Sequence, residues 1–179
     1  MVSEPITERI LDDDQVSRAF FEIPDGIDSE SNFPFHHDVQ ANERAESVYW
    51  RKYAPALQDV HARGCELEPI KQLRSTTRYI GARTATAGAI RKIISGRGHT
   101  FTVFHYPENG DFAHAHIAIK PAEDKPSKKL KTNDIRELIG LLVQQFGGLD
   151  PHNCVQSTDL STDPNISILG RPTGITDRP

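Results

Sequence analysis

The chain has 179 residues and a formal charge of −4, with 36% apolar residues and a mean hydropathy of −0.52. That is enough for one domain with a modest core and mobile polar segments, and it excludes a general polycation. No apolar run approaches the ~18 residues of a membrane span, so no membrane association is expected.

Residues 1–40 mix short apolar groups with acids, Pro24, Gly26 and Pro34, and read as an acidic irregular arm with a helix near 6–20. The charge is uneven: residues 1–47 hold twelve Asp/Glu against three Lys/Arg. The N-terminus lacks the apolar stretch of a signal peptide. Cys65 and Cys154 lie far apart without CxxC spacing, which argues against a disulfide framework or a thiolate zinc site and for a reducing, intracellular setting.

An α+β domain is expected over 41–149. Residues 41–63 read as helix, because Tyr49, Tyr53, Leu57 and Val60 recur at helical spacing. Pro55 should kink it or start a second piece, and Gly64 should stop it. From Lys71 to Arg97 there are seven Lys/Arg and no acid. Residues 84–95 read as a short helix capped by Thr84 or Thr86, with Ile90, Ile93 and Ile94 as its stripe. HTFTVFHY then reads as a strand, PENGD as a tight turn carrying Asn-Gly, and FAHAHIAIK as the return strand. Residues 121–131 form a charged loop. Residues 132–146 are the clearest helix, capped by Thr132 or Asn133, striped by Ile135, Leu138, Ile139, Leu142, Val143 and Phe146, and stopped by Gly147. Residues 150–179 read as a loosely ordered polar tail. The order predicts an antiparallel sheet with flanking helices.

The return strand carries the chemistry. Alternation puts Phe112, His114, His116 and Ala118 on one face, and Ala113, Ala115, Ile117 and Ile119 on the other, apolar one. Both a two-residue and a four-residue loop place His105 on the face of His114 and His116. Three imidazoles on a rigid platform would bind a divalent ion and leave positions open for a substrate oxygen. Glu108 and Asp111 in the turn are alternative ligands.

His114-Ala115-His116 within FAHAHIAI resembles the HUH motif (His, hydrophobic, His) of rolling-circle replication initiators and relaxases. With its setting over roughly residues 84–147, it is similar to the N-terminal nuclease domain of parvoviral replication proteins. The resemblance implies an HUH-nuclease-like fold and a site for Mg²⁺ or Mn²⁺ (Zn²⁺ also suits imidazole), in which His105 stands where the third ligand comes from. It further implies nicking and strand transfer on single-stranded or hairpin DNA, by a tyrosine that forms a 5′-phosphotyrosyl link. A viral origin would place such a protein in the host nucleus.

The chain departs from that pattern at the nucleophile, since no tyrosine follows Tyr106. Relaxases place theirs before the motif, which makes Tyr49 and Tyr53, in Tyr49-Trp50-Arg51-Lys52-Tyr53, the candidates, although both also share the apolar stripe. Tyr79 is weaker, equally suited to stacking on a base. Lys71, Arg74, Arg78, Arg83, Arg91, Lys92 and Arg97, with Lys128 and Lys129 in the charged loop, are the candidate phosphate contacts. His36-His37 read as solvated. Histidine-triad hydrolases are disfavoured by Ala118, and cupin and metallo-β-lactamase spacings are absent. The competing reading is a non-enzymatic viral or accessory binding protein with structural histidines.

Overall fold

The computed structural model describes residues 7–22, 32–35, 37–38, 43–72, 77–108, 110–123 and 129–154. The strands are β1 Gln15–Glu22, β2 His37–Asp38, β3 Glu43–Trp50, β4 Arg78–Thr86, β5 His99–His105, β6 His114–Pro121 and β7 Gly147–Pro151. The helices are α1 Gln58–Gln72, α2 Ala87–Arg91 and α3 Thr132–Gln145. Six strands run in the order β5-β6-β3-β1-β4-β7, every pairing antiparallel, and β2 pairs with β3. The α+β class with an antiparallel sheet is as expected.

The sheet carries a buried core on each face. On one, α2 and α3 seal the larger core, where Ile90, Leu138, Ile139, Leu142 and Phe146 pack on Val16, Phe20, Val48, Trp50, Phe101, Ala115 and Ile117. On the other, α1 seals a smaller core of Ala19, Phe21, Val60, Tyr79 and Ala82. At ~25 cal/mol per Å² of apolar area, the larger core is the main source of stability.

Several expectations hold. The hairpin of β5 and β6 forms, with Gly110 at φ 86° in its turn. Thr86 caps α2, its hydroxyl accepting from Ala89 N–H at 3.2 Å. At the start of α3 the cap is Lys131 rather than Thr132 or Asn133, because the Asp134 carboxylate reaches back to the Lys131 N–H at 2.7 Å.

Other expectations are corrected. The helix expected near 6–20 is replaced by β1, which sits inside the sheet between β3 and β4. Its two faces feed different cores, Val16 and Phe20 one, Ala19 and Phe21 the other, so the segment shows no single stripe. The helix expected over 41–63 is a strand followed by a later helix. Val48 and Trp50 point to the larger core and Tyr49 to the smaller one, and α1 begins only past Pro55, at Gln58. Gly64 does not stop α1. It lies inside it, where a Cβ would meet Tyr79 Cε2 at 2.3 Å, so only glycine lets the ring seat. Nor is position 150 the start of a loose tail. β7 runs to Pro151 along β4, and Cys154 is disulfide-bonded to Cys65 of α1 across 89 residues. That bond corrects the reading of Cys65 and Cys154 as too far apart in sequence to argue for a disulfide. Residues 155–179 and His36 lie outside the described residues. Among the described residues no helix is long and apolar enough to cross a membrane.

Candidate active site at the β3–β6 seam

Strand β6 pairs with β3 so that Tyr49 lies opposite His114 and Ser47 opposite His116. All four side chains therefore share the α1 side of the sheet. Beside α1 this face opens into a cavity of about 490 Å³. Ser47, Tyr49 and His114 form its sheet wall, Glu108 and Asp111 its rim at the hairpin turn, and Arg63 and Lys71 approach from α1.

The two motif histidines lie together, ring centroids 4.9 Å apart, edge to face. His116 stacks on Tyr106 at 4.4 Å and meets Phe104 edge-on. His114 is held at both nitrogens: Nδ1 lies 2.8 Å from the Tyr106 carbonyl and Nε2 2.9 Å from Ser47 Oγ. A Glu108 carboxylate oxygen stands 3.7 Å from Nδ1.

His105 does not join them. It pairs with Ala115, and Phe104 takes the position opposite His116. The reason is one extra residue in the return arm. Asp111 N–H bonds to the Glu108 carbonyl at 2.8 Å, closing the turn as expected, but the next cross-strand bond runs from Tyr106 N–H to the His114 carbonyl at 3.1 Å. Only Pro107 lies between these pairs on the outgoing arm, against Phe112 and Ala113 on the return arm. This bulge turns the register by one residue and sends His105 to the opposite face. There the Glu8 N–H donates to Nδ1 at 3.0 Å, so Nε2 carries the hydrogen and donates to the Phe112 carbonyl at 2.9 Å. With both nitrogens used and Trp50 and Tyr53 against its ring, His105 is a structural side chain.

The two candidate tyrosines separate in the same way. Tyr49 faces the cavity, and its hydroxyl is held above the usual tyrosine range, first by burial and then by the Asp111 carboxylate. Tyr53 stacks on His105, away from the motif, with its hydroxyl on Glu8. Tyr79 is buried beneath α1 and bonds to His61 Nδ1 at 2.7 Å, so it is closed to a stacking base.

The basic residues do not form one patch. Lys71 lies over the Phe21 ring at the cavity, whereas Arg83 covers Phe20 on the opposite face. Arg91 is bound to Asp12 and to the Ile10 and Val103 carbonyls, and Arg97 to Asp134. Arg78 reaches Asn153, while Lys92 and Lys129 are exposed. Arg74 and Lys128 lie outside the described residues.

Arg18, Ser47 and Arg63 did not stand out in the sequence. β1 and β3 pair only at Val16–Trp50 and Ser17–Tyr49. Past that point Arg18 spans the gap, bonding to the Ser47 carbonyl, to the Asn32 carbonyl at 2.7 Å and to Glu46 at 2.7 Å. Reading 45–49 as a strand would have put Ser47 and Tyr49 on one face. Among the described residues no three His, Cys, Asp or Glu side chains already converge as a metal-binding group. No family model, curated protein or solved structure matches the chain.

Proposed function

We propose that the chain is a metal-dependent protein that nicks single-stranded or hairpin DNA and holds the broken strand, in the manner of HUH-type replication initiators. The observation that carries this reading is the pairing of Tyr49 with His114 on the wall of one cavity. It supplies a hydroxyl nucleophile beside the motif histidines, upstream of the motif as in relaxases.

The donor types suit a divalent ion. His114 and His116, with Glu108 or Asp111 at the rim, would hold Mg²⁺ or Mn²⁺, and Zn²⁺ is compatible with the imidazoles. Glu108 has a side chain 58% exposed, so it can turn toward the imidazoles at little packing cost. Bound there, the ion would act as a Lewis acid on the scissile phosphate and favour ionised over neutral Tyr49. The Tyr49 oxygen bonds to phosphorus, the 3′ oxygen leaves as a hydroxyl, and a 5′-phosphotyrosyl link remains. Arg63 and Lys71 face the phosphates from α1.

The test is incubation of the full chain with a labelled single-stranded hairpin and Mn²⁺. A covalent adduct is expected, lost in His114→Ala and in Tyr49→Phe, and retained in Tyr53→Phe. Absence of any adduct across Mg²⁺, Mn²⁺ and Zn²⁺ sinks the reading. Binding without cleavage would then favour a non-enzymatic DNA-binding or protein-binding role, which the Ser47 bond on His114 Nε2 also supports.

A further inference from the structure

The cavity contains a second arrangement that needs no metal. A carbonyl oxygen can only accept, so the 2.8 Å contact with Tyr106 puts the hydrogen of His114 on Nδ1. Nε2 is then a lone pair, and at 2.9 Å it accepts the hydroxyl of Ser47. The polarity is that of a nucleophile bonded to its base. The Glu108 carboxylate, 3.7 Å from Nδ1, lies where positive charge would develop on the ring.

Position favours reaction over a passive surface bond. The bond is diagonal across β3 and β6, since Ser47 pairs directly with His116. Ser47 is exposed at the cavity wall on an interior strand, and its carbonyl is held by Arg18. The His114 side chain is only 13% exposed and is fixed at both nitrogens, so it is oriented before any ligand arrives. The same cavity has an apolar side made by Ala19, Phe21 and Leu67, and a cation, Arg63, whose exposed guanidinium pairs with Glu66 of α1 at 2.9 Å.

We propose that Ser47 is a nucleophile activated by His114, acting on carboxylic esters whose acyl group packs against Ala19, Phe21 and Leu67. Ser47 Oγ forms a bond to the carbonyl carbon while its proton passes to His114 Nε2. Arg63 offers positive charge to the oxyanion of the tetrahedral state. The bond to the alcohol oxygen breaks, and that oxygen takes the proton from Nε2. Water then attacks the acyl-serine and gives its proton to Nε2, and the Ser47 oxygen leaves with that proton as a hydroxyl. The net reaction is hydrolysis of the ester to acid and alcohol, with no other reactant.

This goes beyond the nicking reading and competes with it for one atom, Nε2. The test is therefore run in EDTA, where nicking is not measured, so either reading can fail alone. The full chain is treated with a fluorophosphonate, whose phosphorus accepts Ser47 Oγ as fluoride leaves and the proton passes to Nε2. The label is located by peptide mass spectrometry, and hydrolysis of p-nitrophenyl butyrate is followed in parallel. Label at Ser47 is expected, with label and hydrolysis both lost in Ser47→Ala, an exposed change that leaves the fold intact. His114→Gln, with unchanged circular dichroism, is expected to slow labelling by about 100-fold or more. No label at Ser47 in the unaltered chain, or wild-type ester hydrolysis in Ser47→Ala, would overturn the proposal.

Discussion

His105 lies directly opposite Ala115 across the β5–β6 hairpin, and that pairing turns its imidazole to the side of the sheet away from His114 and His116. Its nitrogens tie the Glu8 backbone to the hairpin bulge at Phe112. His105→Ala should therefore destabilise the fold by about 2–4 kcal/mol, through two lost hydrogen bonds and the packing against Trp50. Urea denaturation measures this. The same variant should keep its Mn²⁺ affinity within about twofold, whereas His114→Ala should lose tenfold or more. A His105→Ala protein with unchanged stability and weakened metal binding would return His105 to the ligand set.

The Cys65–Cys154 bond closes a loop of 89 residues and ties α1 to the end of β7. In the chain-entropy account a loop of this length stabilises by about 4–5 kcal/mol. Reduction, or Cys65→Ser with Cys154→Ser, should shift the urea midpoint down accordingly. Thiol titration of the unreduced, unfolded chain should find no reactive thiol. Two titratable thiols in that assay would show the pair unbonded.

What was legible in the sequence follows from how local each signal is. The β5–β6 hairpin, Thr86 as cap and the stripe of α3 rest on neighbouring residues, and they appear as read. β1 and β3 serve two cores at once, so Val48 and Trp50 on one side and Tyr49 on the other erase any alternation. α1 carries Gly64 and Pro69 within it and only a thin apolar face, which hides a helix that tertiary packing creates. The face of His114 and His116 was readable from alternation alone. The face of His105 depended on a bulge at Phe112 and Ala113, and one extra residue reverses every side chain beyond it. The disulfide spans too much sequence for spacing to reveal it.

Two of the four tyrosines should resist ionisation. Tyr79 is held above its ordinary range by burial and then by Asp150, and Tyr49 by burial and then by Asp111. An unfolded tyrosine ionises near pH 10, so above that pH the unfolded chain sheds protons that the folded chain keeps. Stability is fully present below about pH 10 and falls as pH rises further. The urea midpoint should hold up to about pH 10 and drop as pH rises above it, less steeply in Tyr79→Phe. Absorbance at 295 nm should show phenols ionising late, and fewer of them in Tyr79→Phe. Four tyrosines titrating together near pH 10 would contradict the burial of both.

Gly64→Ala tests whether α1 is seated by its contact with Tyr79. In an isolated helix the change should help, since alanine is favoured over glycine by roughly 1 kcal/mol. Here the new Cβ would sit 2.3 Å from Tyr79 Cε2, and the ring is fixed by its bond to His61 and by Phe21. Overpacking of this kind costs about 1–3 kcal/mol, so the steric term should win and the variant should be less stable. Lifting α1 also moves Arg63 and Lys71 away from the cavity. Tyr79→Leu alone should destabilise by loss of packing and of the His61 bond, but it removes the ring edge that the Cβ would meet. The double variant should therefore be more stable than the sum of the two changes, by about 1 kcal/mol or more of coupling. Additive effects in that cycle would mean that the helix is held by Val60 and the disulfide rather than by the glycine–tyrosine contact.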